Sequence, residues 1–183
     1  MKRLLSILFL LVFQISISQN WLDQQCKTDA QLYPEDIDKA SERNSLNIVI
    51  NQEGKIIVNE KDLSILNETK FKEYIYYFIE NPDGVDEFSK SPKKAIISLK
   101  HYNHKEQYEA IQQQIREVYY FLWNNYAQEK YQEDYTNLDC KERSKVQKQY
   151  PYHLYTPKKN KDKEKGKPNF AGPPPFEGDV KDN

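Results

Sequence analysis

Residues 44–63 read NSLNIVINQEGKIIVNEKDL, and their pattern decides what kind of fold the chain can adopt. Leu46, Ile48 and Ile50 alternate with Asn47, Val49 and Asn51, which is the period of a half-buried strand. Asn51-Gln52-Glu53-Gly54 is turn chemistry, with Gly54 supplying the positive φ of a short hairpin loop. Ile56, Ile57 and Val58 then form the returning strand. A hairpin with one apolar face must bury that face against another layer.

The layer that can cover it follows in the chain. Phe71, Tyr74, Ile75, Phe78 and Ile79 recur at helical spacing, giving one apolar face. Asn67 is positioned to cap this helix, while Asn81-Pro82 stops it and Asp83-Gly84 turns the chain. Ala95 to Leu99 is a nearly continuous apolar run, as expected of a strand covered on both faces. Tyr108, Ile111, Ile115, Val118, Tyr119, Leu122 and Tyr126 then step by threes and fours without Gly or Pro, a long amphipathic helix. A second helical stretch spans about 139–149, closed by Tyr150-Pro151. The expected fold class is therefore α+β: strand–strand–helix–strand–long helix, packed as a small sandwich over 44–131, with a helical extension over 132–156.

The flanks are different in kind. Residues 4–18, LLSILFLLVFQISIS, are apolar and preceded by Lys2 and Arg3. As a helix they reach roughly 22 Å, short of the ~30 Å hydrocarbon core, and Ser16-Ile17-Ser18 has the small-x-small spacing of a processing site. This predicts a signal peptide over 1–18, the alternative being an uncleaved membrane anchor; either way the remainder is exported. Residues 19–43 are a polar arm with at most a short helix. At the other end, KKNKDKEKGK followed by AGPPPFEGD makes 157–183 a Lys- and Pro-rich tail expected to be disordered. Within it Pro173, Pro174, Pro175 and Phe176 form an extended motif suited to an aromatic groove.

Composition excludes several classes. The 27 basic residues less Lys2 and Arg3 leave 25 against 28 acidic ones, too balanced for a nucleic-acid binder. The 14 Tyr, 8 Phe and 2 Trp suit a small core with wet polar tips. Only two cysteines occur, Cys26 and Cys140. In an oxidising compartment they can bridge the arm to the C-terminal half, or they stay as two free thiols.

Residues 44–63, the ENPD at 80–83, SPKKAIISLKHYNHKEQYEAIQQQIREVYYFLWNNYAQEKY at 91–131 and QKQYP at 147–151 resemble the periplasmic domain of the ExbD/TolR biopolymer-transport family, in its Bacteroidetes form. The resemblance covers roughly 44–151. It implies a non-enzymatic subunit of an envelope energy-transduction assembly, with ExbB-, ExbD- and TonB-like partners, a homodimer of the domain, and a location in the periplasm. The departure from the family is chemical. Its transmembrane helix carries a proton-handling Asp, whereas residues 4–18 contain no ionisable group and Asp23 lies outside them. A proton relay needs a carboxylate inside the membrane. A membrane-anchored motor subunit is accordingly the alternative function rather than the first, and contact with a membrane is expected only through an uncleaved N-terminus or a partner.

No fingerprint of catalysis or cofactor binding competes with this reading. His101 and His104 lie three apart at the strand-to-helix junction, but no third metal ligand accompanies them; a periplasmic metal protein or enzyme is the remaining alternative. There is no nucleophile elbow and no phosphate-cradling loop around Gly54. Glu35/Asp36 and Glu133/Asp134 read as surface charges, and the Asn67-Glu68-Thr69 sequon as a helix cap. The expected contact surface is a sheet edge, drawn from Leu46, Ile48 and Ile50 and from Ile96 and Ser98, recruiting a strand through backbone pairing. Five aromatics in the eight residues 119–126 cannot share one helix face. Tyr119 and Tyr126 belong to the buried stripe, whereas Tyr120, Phe121 and Trp123 either pack beneath the extension or contact another chain.

Overall fold

The computed structural model describes Cys26, Leu32 and residues 34–157. The apolar stretch 4–18 and the tail motif Pro173 to Phe176 lie outside the described residues.

A short helix α1 (Pro34–Lys39) precedes strand β1 (Ser45–Ile50). The chain turns back through β2 (Ile56–Val58) and β3 (Lys61–Asp62) before helix α2 (Glu68–Glu80). Strand β4 (Ile96–His101) leads into the long helix α3 (Lys105–Tyr131), then α4 (Cys140–Gln149) and β5 (Leu154–Tyr155). The five strands form one mixed sheet in the order β3-β2-β1-β4-β5. β1 pairs antiparallel with β2 and parallel with β4, and β4 pairs parallel with β5. The α+β class is as expected. The short strands β3 and β5 were not legible in the sequence, because a two-residue strand carries no period.

The turn between β1 and β2 behaves as its residues dictate. Asn51 Oδ1 accepts from the backbone N–H of Glu53 and Lys55, at 3.0 and 2.9 Å, and Gly54 takes φ +80°. The left-handed backbone favours glycine here, and a Cβ at Gly54 would also press on the His104 ring at 3.3 Å. Asn67 caps α2 by accepting from Lys70 N–H at 2.9 Å. Asn81 ends it in the left-handed region, φ 44°, its side-chain amide tying down Val85 and Ser89.

The parallel register places Leu46 beside Ile97 and Ile48 beside Leu99. These four side chains share one face and meet Phe71, Ile75, Phe78 and Ile79 of α2 and Ile111, Ile115 and Val118 of α3 in a single core. Ile96 and Ser98 alternate with them onto the opposite face, yet are also buried, so β4 is covered on both sides as its composition implied. A buried Asn44 locks the entry to β1. Its Oδ1 accepts from Ser89 Oγ at 3.2 Å and from Lys90 N–H at 2.9 Å, and its Nδ2 donates to Ser41 Oγ at 2.8 Å.

Strands of six residues span about 20 Å, while the 27 residues of α3 span about 40 Å. The second half of α3 therefore overhangs the sheet, and its apolar face needs other cover. Ile48 is fully buried at the centre of the sheet. Ile48→Ala is expected to cost about 2–5 kcal/mol, measured as a drop in the urea midpoint with unchanged slope.

Candidate functional site: the sheet edge closed by the C-terminal extension

The overhanging half of α3 carries Tyr119, Leu122, Trp123 and Ala127, all buried. What buries them is the chain that follows. Gln132, at φ 59°, ends α3 in the left-handed region, and the reversed chain lays Tyr135 against Trp123 with ring centroids 5.1 Å apart. Gln147 Nε2 of α4 donates to Tyr135 Oη at 2.7 Å. Asn124 Oδ1 accepts from Tyr135 N–H at 3.0 Å, satisfying backbone that would otherwise be stranded. Asp139 caps α4 by accepting from Glu142 N–H at 2.8 Å. Trp123 Nε1 donates to the Tyr150 carbonyl at 2.7 Å, just past the end of α4, where the helix no longer uses its carbonyls. Tyr152 stands edge-on to Tyr119 at 4.9 Å, and its phenol is pushed up to about 12 by burial, partly offset by Arg116.

From there the chain returns to the sheet. Ile97 N–H donates to the His153 carbonyl at 2.9 Å, and β5 takes its place beside β4. His153 Nδ1 donates to the Ala95 carbonyl at 3.2 Å. Burial holds this imidazole below its ordinary pKa, while the Ala95 carbonyl and the Asp36 carboxylate act in the opposite direction. A disulfide joins Cys26 to Cys140, at the first turn of α4 and 114 residues along the chain. The extension is thus held at both ends, by the bridge and by β5.

This geometry relocates the expected contact surface. β1 lies in the middle of the sheet and β4 has a neighbour on each side. Leu46, Ile48, Ile50, Ile96 and Ser98 are all buried, so they are core residues and not an edge. Sequence spacing showed that they belong to strands but carried no information on strand order, which here places the N-terminal strand centrally. The edges are β3, whose Lys61 and Asp62 are exposed and charged, and β5. In a parallel ladder alternate residues face alternate neighbours. Tyr155 therefore faces β4, while Leu154 and Thr156 turn their backbone N–H and C=O groups outward. Among the described residues no strand pairs with that outer side. Residue 157, the next ladder donor toward β4, is a proline without an N–H, which stops β5 after two residues.

The aromatic group divides between its two expected fates. Trp123 is fully buried under the extension, so it is no interface residue. Tyr120 is half-buried, edge-on to Tyr135 at 6.4 Å. Phe121 is 53% exposed and rests against Tyr76 at 6.0 Å.

The histidine pair does not act as a unit. His104 Nε2 lies 3.0 Å from the Gln52 carbonyl, whereas His101 packs against the Tyr108 ring at 4.6 Å. With Asn103, Lys105 and Glu109, His101 and Tyr108 line an open cleft where α3 begins. Among the described residues no three His, Cys, Asp or Glu side chains could hold a metal ion, and no helix is long and apolar enough to cross a membrane.

No family model, curated protein or solved structure matches the chain.

Two measurements check the seam. Cys140→Ser is expected to lower stability by about 2–5 kcal/mol, read from urea unfolding, with the loss reproduced by reducing the wild type. His153 is favoured neutral in the folded protein, so its contribution is complete above pH 6.5 and falls as the pH drops through that value, where the unfolded chain takes up the proton first. His153→Asn should flatten the decline in melting temperature between pH 7 and pH 5.

Proposed function

We propose that the protein is a non-enzymatic, exported binding module of an ExbD/TolR-like envelope assembly, and that it recruits its partner as an added strand on the outer side of β5. The observation that carries this reading is the β5 edge itself. It is a partly buried two-residue strand whose outward backbone groups have no strand partner among the described residues. An extended segment from a TonB-like protein or from a second copy of this domain satisfies those groups by β-augmentation. The opposite edge is a poor template because its exposed charges oppose pairing.

The order of elements supports the family reading. A Gly-turn hairpin, a capped helix, a further strand and a long helix occupy the segments on which the ExbD/TolR resemblance rests. The absence of any ionisable group in residues 4–18 supports a contact role over proton handling. The periplasm agrees with the disulfide, since oxidising compartments sustain such bridges.

The test uses Thr156→Pro in the full chain. Residue 156 faces away from β4, so proline there removes an outward donor and none of the bonds within the sheet. The melting temperature should stay within a few degrees of wild type, while co-purification with ExbB- or TonB-like proteins from envelope fractions is lost. Native extraction of the wild-type chain as a lone monomer would sink the reading.

A further inference from the structure

The lysines of the described domain differ in whether a carboxylate lies beside them; Lys39, Lys90, Lys100 and Lys130, on or beside other elements, also have none within 4 Å among the described residues. On the β1–β3 hairpin, on α2 and at the start of α3, Lys55, Lys61, Lys70, Lys72 and Lys105 each have a carboxylate within 3.5 Å. On α4, Lys141, Lys145 and Lys148 have none among the described residues, and all three are exposed. Their i, i+4, i+7 spacing puts them in one row, on the side of the helix away from buried Val146. The short turn Pro92–Lys94 packs against α4 and adds exposed Lys93 and Lys94, again without a carboxylate partner among the described residues. The chain as a whole has a net charge of −1, so this positive face is local and not a consequence of a basic protein.

Covalent structure says what lies beside it. Lys141 follows Cys140, which is bonded to Cys26. Cys26 stands eight residues after Ser18, the end of the apolar stretch, a separation that an extended chain covers in at most about 28 Å. In a chain that keeps residues 4–18 as an anchor, the alternative to the signal peptide, the row on α4 begins at the cysteine bonded to Cys26, eight residues from that segment. It presents a straight line of ammonium groups about 10 Å long, suited to a plane of negative charge. We propose that α4, with the 92–94 turn, docks the domain on an anionic lipid surface through Lys93, Lys94, Lys141, Lys145 and Lys148. Docking in this way turns the row toward the headgroups and leaves the hairpin and α2 lysines in their ion pairs. It rests on the anchor alternative for residues 4–18 and not on the family reading.

The full chain is mixed with vesicles containing phosphatidylglycerol and, separately, with vesicles of phosphatidylcholine alone. The ratio of bound fractions isolates the electrostatic contribution, because the apolar segment partitions into both. Neutralising the row as Lys141→Gln, Lys145→Gln and Lys148→Gln should reduce that ratio on the order of a hundredfold, with the helical circular dichroism unchanged. If α4 weakens in that variant, Lys93→Gln with Lys94→Gln removes charge outside the helix and should reduce the ratio on the order of tenfold or more. The control Lys55→Gln, Lys70→Gln and Lys105→Gln removes the same charge from paired lysines and should leave the ratio near wild type. The proposal fails if the α4 variant keeps the wild-type ratio, which would assign binding to the six lysines of 158–167. It also fails if the control lowers the ratio equally, or if the wild type prefers heparin and shows no preference between the two vesicles.

Discussion

The structure depends on a mismatch of length. α3 is about twice as long as the strands it packs on, and an apolar helix face cannot be left in water without losing the burial that stabilises it. The extension after Tyr131 answers this need. Tyr135, Leu138 and Val146 join the same core as Trp123 and Ala127, so extension and sandwich form one hydrophobic unit rather than two domains. Two polar ends within that unit are paired, Trp123 Nε1 with the Tyr150 carbonyl and Tyr135 Oη with Gln147, whereas the Tyr119 and Tyr152 hydroxyls are buried there without a hydrogen bond. An unpaired donor in such a site costs more than the bond gains.

Covering the overhang also determines where the chain goes next. Because α3 runs back past the start of β4, the segment that caps it emerges beside that strand, and β5 is the result. The contact edge proposed for function is therefore a by-product of core packing, and so is the exposed row on α4. Val146, Arg143 and Gln147 are turned inward by the seam, which leaves Lys141, Lys145 and Lys148 outside. The disulfide ties the first turn of α4 to Cys26.

Local chemistry was legible wherever short-range rules decide. The hairpin at Gly54, the cap at Asn67, the stop at Asn81 and the two helix periods lie in the structure where the residues imply them. The doubly covered β4 was legible as well, since only burial on both faces tolerates Ala95 to Leu99 as a continuous apolar run. The site was less so. Ile48 and Ser98 were recognisable as strand residues, but whether a strand is central or at an edge depends on partners tens of residues away. Leu154 and Tyr155 had no pattern at all, because two residues cannot display a period.

By itself the sequence determined the α+β class, the order of the longer elements, the Asn67 cap and the chemical poverty of residues 4–18, all set by side-chain spacing and turn chemistry within a few residues. Tertiary structure decided the strand order, the pairing of Cys26 with Cys140 and the burial of Trp123 with exposure of Phe121. These follow from how one long helix had to be covered, a requirement set by packing across the whole chain and written in no single segment.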